Sequence, residues 1–298
     1  MESKISKLAP DSDALNIVVC GDSRGERQLM PAVIESNTGI NTINIAVDAG
    51  EVVSLIYALD SYDSYDNVYV LSASSWQIND GANDKGYLSQ KCFQQLTLAE
   101  KLSIYQNNLF ELVRMESGLI RLEMKYFLNK YPVKEELSYE EEVLKEDGFR
   151  GIDYTLNVEK EHLANLLQTH SWYKNLTNDN VRWRLFKEAM NVLGEKNAFI
   201  IVCQPPASPI WKEKTKNTVI SKAEEEFSKK MDSICHQFTN IVFYDFYTND
   251  IDLLDNSMYY DYQHLNRKGA EIFSKIFSDS INRELLVRMH DKVNNKPI

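Results

Sequence analysis

Asn16-Ile17-Val18-Val19-Cys20-Gly21-Asp22-Ser23-Arg24 is an apolar run that breaks at a glycine and continues into small and charged residues. Four apolar residues in succession, without alternation, predict a strand buried on both faces, and the glycine marks where the chain leaves it. The same pattern recurs at Thr42 to Val47, Asn67 to Ala73, Ala198 to Cys203 and Asn240 to Tyr244. Stretches with helical periodicity lie between these runs, so successive strands must be joined by crossovers. With Asn16 to Cys20 as the first, the five strands predict an α/β fold: a mainly parallel sheet covered by helices on each side, a three-layer α/β/α sandwich. In such sheets ligands gather beyond the carboxyl ends of the strands. Ser23, Ala49-Gly50, Ser74-Ser75-Trp76 and Gln204-Pro205-Pro206 all fall on that edge.

The strands are unevenly spaced. About 125 residues separate the third from the fourth, which predicts a mostly helical insertion at about 86–180 within a single domain spanning 1–298. Leu98 to Asn129 places Leu102, Tyr105, Leu109, Leu112, Val113, Leu119 and Leu122 at helical spacing, and Asn180 to Leu193 reads as a helix entering the fourth strand. Between them Lys134 to Glu146 is acidic and reads as a solvated helix or loop, with a lid as the alternative. Tyr154, Trp172, Tyr173 and Trp183 are either core or the lining of a substrate groove. The last helix is expected from about Arg267 to Met289, with Asn266 as its N-cap.

Composition narrows the function classes. In 298 residues with 43% hydrophobic content there is enough apolar surface for a well-buried core. A net charge of -11 argues against sequence-independent nucleic-acid binding, which needs clustered Lys and Arg to displace counterions. The four cysteines, Cys20, Cys92, Cys203 and Cys235, form no C-x-x-C pair and have no histidine at ligand spacing. Neither a zinc site nor a disulfide framework is expected. No run is long and apolar enough to cross a bilayer, and Met1-Glu2-Ser3-Lys4 leads into polar sequence without a signal-peptide core. The chain as it stands is expected to be soluble. No G-x-x-x-x-G-K-S/T or G-x-G-x-x-G follows a strand, which leaves no motif for nucleotide phosphates.

Two segments carry chemistry. Gly21-Asp22-Ser23-Arg24 sets a hydroxyl at a strand-to-helix turn, where a glycine allows an unusual backbone angle and helix-start N–H groups point at whatever binds there. Near the other end, Asp261-Tyr262-Gln263-His264-Leu265-Asn266 runs into Arg267-Lys268-Gly269, with an acid three residues before an imidazole. Hydroxyl, imidazole and carboxylate are the three groups of a serine hydrolase.

On these two blocks the chain resembles the SGNH, or GDSL-type, serine hydrolases. The final block of that family, D-x-x-H followed by L-N-x-x-G, is matched by Asp261, His264, Leu265, Asn266 and Gly269. The resemblance implies a flavodoxin-like sheet, with Ser23 as nucleophile, His264 as general base and then acid, and Asp261 orienting the imidazole. It implies no cofactor and no metal. Ser23 is expected to give one oxyanion-hole N–H and Ala49 or Gly50, after Asn44, another. The third block departs from the family's G-x-N-D: after Leu71-Ser72-Ala73 come Ser74-Ser75-Trp76-Gln77-Ile78, and Asn79-Asp80 follows several residues late. Either Asn79 swings back, or Ser74 or Ser75 replaces it, or the hole has two donors; losing one donor typically lowers turnover about 100-fold to 1000-fold. Asp22, Arg24, Trp76 and Pro206 are read as substrate contacts, and Asp245 as structural.

The expected activity is removal of a short acyl group from a carbohydrate or similar polar ester. Two alternatives stand beside it: an O-acyltransferase with the same triad, and a catalytically impaired binding module for glycans or a cell-envelope partner.

Overall fold

The computed structural model describes residues 15–46, 67–78, 149–156, 198–249 and 251–294, and outside these ranges only positions 98, 113, 143–144, 183, 186–187, 190–191 and 194–195. Five strands, β1 (Asn16–Gly21), β2 (Asn41–Asn44), β3 (Val68–Ser72), β6 (Phe199–Gln204) and β7 (Ile241–Asp245), form one sheet in the order β2-β1-β3-β6-β7. Every pairing in it is parallel. The sequence predicted a mainly parallel sheet of five, and all five strands lie within a few residues of the runs that announced them. β1, β3 and β6 are buried almost throughout, as unbroken apolar runs require, while β7 at one edge is half-exposed.

Helices cover the sheet on both faces, giving a three-layer sandwich. α1 (Ser23–Gln28) and α2 (Pro31–Thr38) follow β1, and α5 (Arg267–Asn294) packs along both. On the other side α3 (Pro209–Thr215) leads into α4 (Val219–Cys235), which packs on β7. Its buried Ile220, Ala223, Phe227, Met231 and Ile234 recur at three- and four-residue steps, the stripe a helix needs to face a sheet. Each large side chain removed from water there contributes roughly 1.5–3 kcal/mol. Thr218 starts α4 by accepting the Ile220 N–H at 3.2 Å.

Some boundaries differ from the sequence reading. β2 spans Asn41–Asn44, short of the expected end at Val47: the Ile45 N–H still donates to the Val19 carbonyl at 2.8 Å, and the Ala46 N–H then goes to the Asn44 side chain at 3.0 Å instead of to a strand. α5 starts at Arg267 as expected but runs past Met289 to Asn294. Within the acidic stretch read as helix or loop, Val143–Leu144 (β4) pairs antiparallel with Arg150–Gly151 (β5), a small hairpin that two residues of pairing could not announce. In the expected helix over Asn180 to Leu193, Trp183, Phe186 and Met190 are helical and buried. Trp183 stacks on Phe186 with centroids 5.8 Å apart, so it belongs to the core and not to a groove. Leu98 and Val113 are helical but exposed. Among the described residues no helix is long and apolar enough to cross a membrane.

Candidate functional site

The strand order reverses direction at β1 and β3, so the crevice beyond their carboxyl ends is where a parallel sheet offers a binding site. Gly21 closes β1 with φ at 122°, and a Cβ there would lie 2.3 Å from the Ser72 carbonyl oxygen. Only glycine fits both demands. Asp22 then caps α1: its Oδ1 accepts the N–H groups of Arg24 at 3.0 Å and Gly25 at 3.4 Å, and the Ser72 hydroxyl at 3.3 Å. Ser23 opens the helix. Asn44, at the end of β2, donates to the Gly25 and Leu29 carbonyls at 2.8 and 3.0 Å and ties the helix to the sheet edge.

The second segment is a closed loop. Tyr259 and Leu265 form an antiparallel bridge, and the Tyr260 N–H donates to the His264 carbonyl at 3.1 Å. Inside it Asp261 Oδ1 accepts the N–H groups of Gln263 and His264 at 2.8 and 2.7 Å, an Asx turn that leaves Oδ2 for the imidazole. Oδ2 lies 2.8 Å from His264 Nδ1. Below the loop Asn266 Oδ1 accepts the Gly269 N–H at 3.0 Å and caps α5. A Cβ on Gly269 would lie 2.1 Å from the Met258 carbonyl oxygen, so that glycine answers a close approach of backbone to helix.

The two segments meet across 241 residues, with Ser23 Oγ 2.8 Å from His264 Nε2. Hydroxyl, imidazole and carboxylate thus form one continuous hydrogen-bonded chain. Burial raises the Asp261 carboxyl, but the His264 charge, its hydrogen bond and the two loop amides outweigh that and hold it below the ordinary carboxylate value. A carboxylate on Nδ1 favours the tautomer with the proton there, which leaves Nε2 to accept from the serine. The side chains of His264 and Asp261 are 18% and 28% exposed, so the pair is sheltered yet reachable from solvent.

The other residues singled out from sequence fall in different places. Asp22 and Arg24, read as substrate contacts, are both buried, Asp22 holding the helix start and Arg24 Nε lying 3.8 Å from Asp22 Oδ2. Their side chains face the fold because the cap and the counter-charge draw them inward. Ser74 and Ser75 are also buried, and the Ser75 N–H donates to Glu224 Oε2 at 3.3 Å, which engages that amide elsewhere. Trp76 is half-buried against the core. Pro206 is buried and helps line a cleft of about 790 Å³ with Tyr247 and Lys212, to which none of Ser23, Asp261 and His264 contributes. Tyr154 is exposed and meets Tyr260 edge-on at 5.6 Å. Asp245 accepts the Tyr247 and Thr248 N–H groups at 3.0 and 2.8 Å and the Ser228 hydroxyl at 2.6 Å, a turn-forming set of contacts. Ala49, Gly50, Asn79, Trp172 and Tyr173 lie outside the described residues. Among the described residues no three His, Cys, Asp or Glu side chains stand together as a metal-binding group.

Several contacts at the site were not foreseen. The Tyr260 ring stacks on the His264 imidazole, 5.5 Å between centroids and 13° between planes. Arg27 Nη1 donates to Tyr260 Oη, and Gln28 Nε2 donates to the Gln263 carbonyl at 2.6 Å. The signals were faint but present: Arg27 is four residues after Ser23 on one helix face, and Tyr260 directly precedes Asp261.

No protein-family model matches the chain, and no curated protein matches it in sequence. Among solved structures it is similar to one described as "a putative platelet activating factor from Streptococcus pneumonia", at 10% identity and a TM-score of 0.44, over 94% of this chain and 89% of that one.

Proposed function

We propose that the protein is a serine acyl hydrolase of the SGNH, or GDSL-type, kind, acting on short acyl esters of a carbohydrate or similar polar alcohol. The observation that supports this most directly is the relay of two 2.8 Å contacts from Ser23 Oγ through His264 to Asp261. In the reaction Ser23 Oγ attacks the ester carbonyl while its proton passes to His264 Nε2. Asp261 stabilises the imidazolium and keeps its ring in plane for the transfer. The tetrahedral oxyanion collapses, the alcohol leaves with the proton from Nε2, and the acyl group stays on Ser23. Water then gives a proton to Nε2, attacks the acyl-enzyme and releases the acid, returning Ser23 to its hydroxyl form. The Ser23 amide is one candidate oxyanion donor, and Ala49 or Gly50 the second.

The test is labelling by a fluorophosphonate probe and turnover of short p-nitrophenyl esters by the parent protein and by Ser23→Ala and His264→Ala. Labelling confined to the parent, with turnover lowered at least 1000-fold in both variants, is expected. Undiminished labelling of Ser23→Ala, or no labelling and no turnover in the parent, would sink the assignment.

A further inference from the structure

We infer that Arg27 and Tyr260 are positioning residues that hold the His264 imidazole against Ser23, an inference that rests on the triad chemistry proposed above. Helix α1 carries the nucleophile at its first residue and, four residues on, the cation that reaches the base's loop. The Arg27 guanidinium donates to Tyr260 Oη and lies 5.9 Å from the centre of that ring. The other side of the contact is the stack of Tyr260 on the imidazole. Gln28, the last residue of α1, adds a second tie to the loop through the Gln263 carbonyl.

A histidine ring that must accept from Ser23 on one nitrogen and donate to Asp261 on the other still needs something to fix its tilt. Both hydrogen bonds lie in the ring plane and resist rotation about the line joining them only weakly. A stacked aromatic ring supplies that restraint, with a preferred offset geometry of its own. The Arg27 contact fixes the aromatic ring in turn, and it does so from the same short helix that positions Ser23. Nucleophile and base are thereby referred to one rigid element, and misplacement by about 1 Å lowers turnover about 100-fold.

The experiment measures kcat and KM of Arg27→Ala, Tyr260→Phe, the double variant and Tyr260→Leu, with melting temperatures and the downfield proton resonance of His264 Nδ1, assigned by its loss in His264→Ala. Arg27→Ala and Tyr260→Phe are each expected to lower kcat about 10-fold with KM within about 2-fold, the double variant no further, and Tyr260→Leu about 100-fold. The Nδ1 resonance should broaden in all four at unchanged fold. An unchanged kcat and a sharp resonance in folded Arg27→Ala and Tyr260→Phe would overturn the positioning role while leaving the triad intact. So would additive losses that simply follow melting temperature. Turnover that survives Ser23→Ala would instead remove the triad chemistry, and the resonance would then decide the clamp without it. If Tyr260→Leu does not fold, the two milder variants carry the test.

Discussion

Replacing Asp22 separates a structural role from substrate contact. Its Oδ1 holds the Arg24 and Gly25 N–H groups and the Ser72 hydroxyl, and its Oδ2 faces the Arg24 guanidinium, with side-chain exposures of 1% for Asp22 and 2% for Arg24. Asp22→Ala removes an N-cap, worth about 1 kcal/mol. It leaves a buried hydroxyl without its acceptor, roughly another 1 kcal/mol. It also withdraws a negative charge beside a buried cation, for which breaking a buried pair sets an upper range of about 3–5 kcal/mol. Arg24 has further interactions that soften the last loss, so a net destabilisation of about 3 kcal/mol is expected. At an m-value of about 3 kcal/mol per molar, that moves the urea midpoint down by about 1 M. Asp22→Asn, which keeps an oxygen for the cap, should lose about half as much. Both variants should label with fluorophosphonate more slowly, because Ser23 sits on the turn that the cap builds. Equilibrium urea unfolding with a parallel labelling time course checks this. A midpoint unchanged in Asp22→Ala, with KM alone raised, would refute the structural assignment and return Asp22 to the substrate.

Asp261, whose folded pKa lies below its ordinary value near 3.9, contributes stability that is complete above that value and lost as pH falls through the lower folded one. Between pH 6 and pH 3 the urea midpoint of the parent should therefore fall further than that of Asp261→Asn; equal slopes would exclude the linkage. Gly269→Ala places a Cβ 2.1 Å from the Met258 carbonyl oxygen and should destabilise by roughly 2–4 kcal/mol, whereas Gly39→Ala, with open space around it but φ at 71°, should lose only about 1 kcal/mol; thermal melts rank the pair, and the reverse order would be fatal to this account of Gly269. Burial pushes the Cys20 thiol up, does the same at Cys203 against the opposing pull of Arg24, and raises Cys235 to about 12. Native protein treated with a thiol reagent at pH 8 should modify partly exposed Cys235 before Cys20 or Cys203, both of which should react only on unfolding; mass spectrometry of the modified peptides reads the order.

Much of this molecule is written in short-range chemistry. Val18, Val19, Val70 and Ile201 belong to runs too apolar for anything but a strand covered on both faces, so five strands and their layers could be read directly from the chain. The turn at Gly21 and the loop from Asp261 to Gly269 were equally legible, because helix caps and Asx turns are satisfied by residues within a few positions of one another. Packing between distant elements decided the rest. The 2.8 Å approach of Ser23 to His264 spans 241 residues, and no local pattern encodes a distance between two segments that only the sheet brings together. The same holds for Asp22 and Arg24, polar residues that suggested a surface role and are buried because their partners, Ser72 among them, arrive from a neighbouring strand. It holds too for Tyr260 and Arg27, a ring and a cation from opposite ends of the chain that meet each other beside the imidazole. Hydrophobic pattern and turn chemistry act over single turns and strands, and so they determine which elements form; side-chain complementarity between those elements acts only once they are packed, and so it alone sets the geometry of the site.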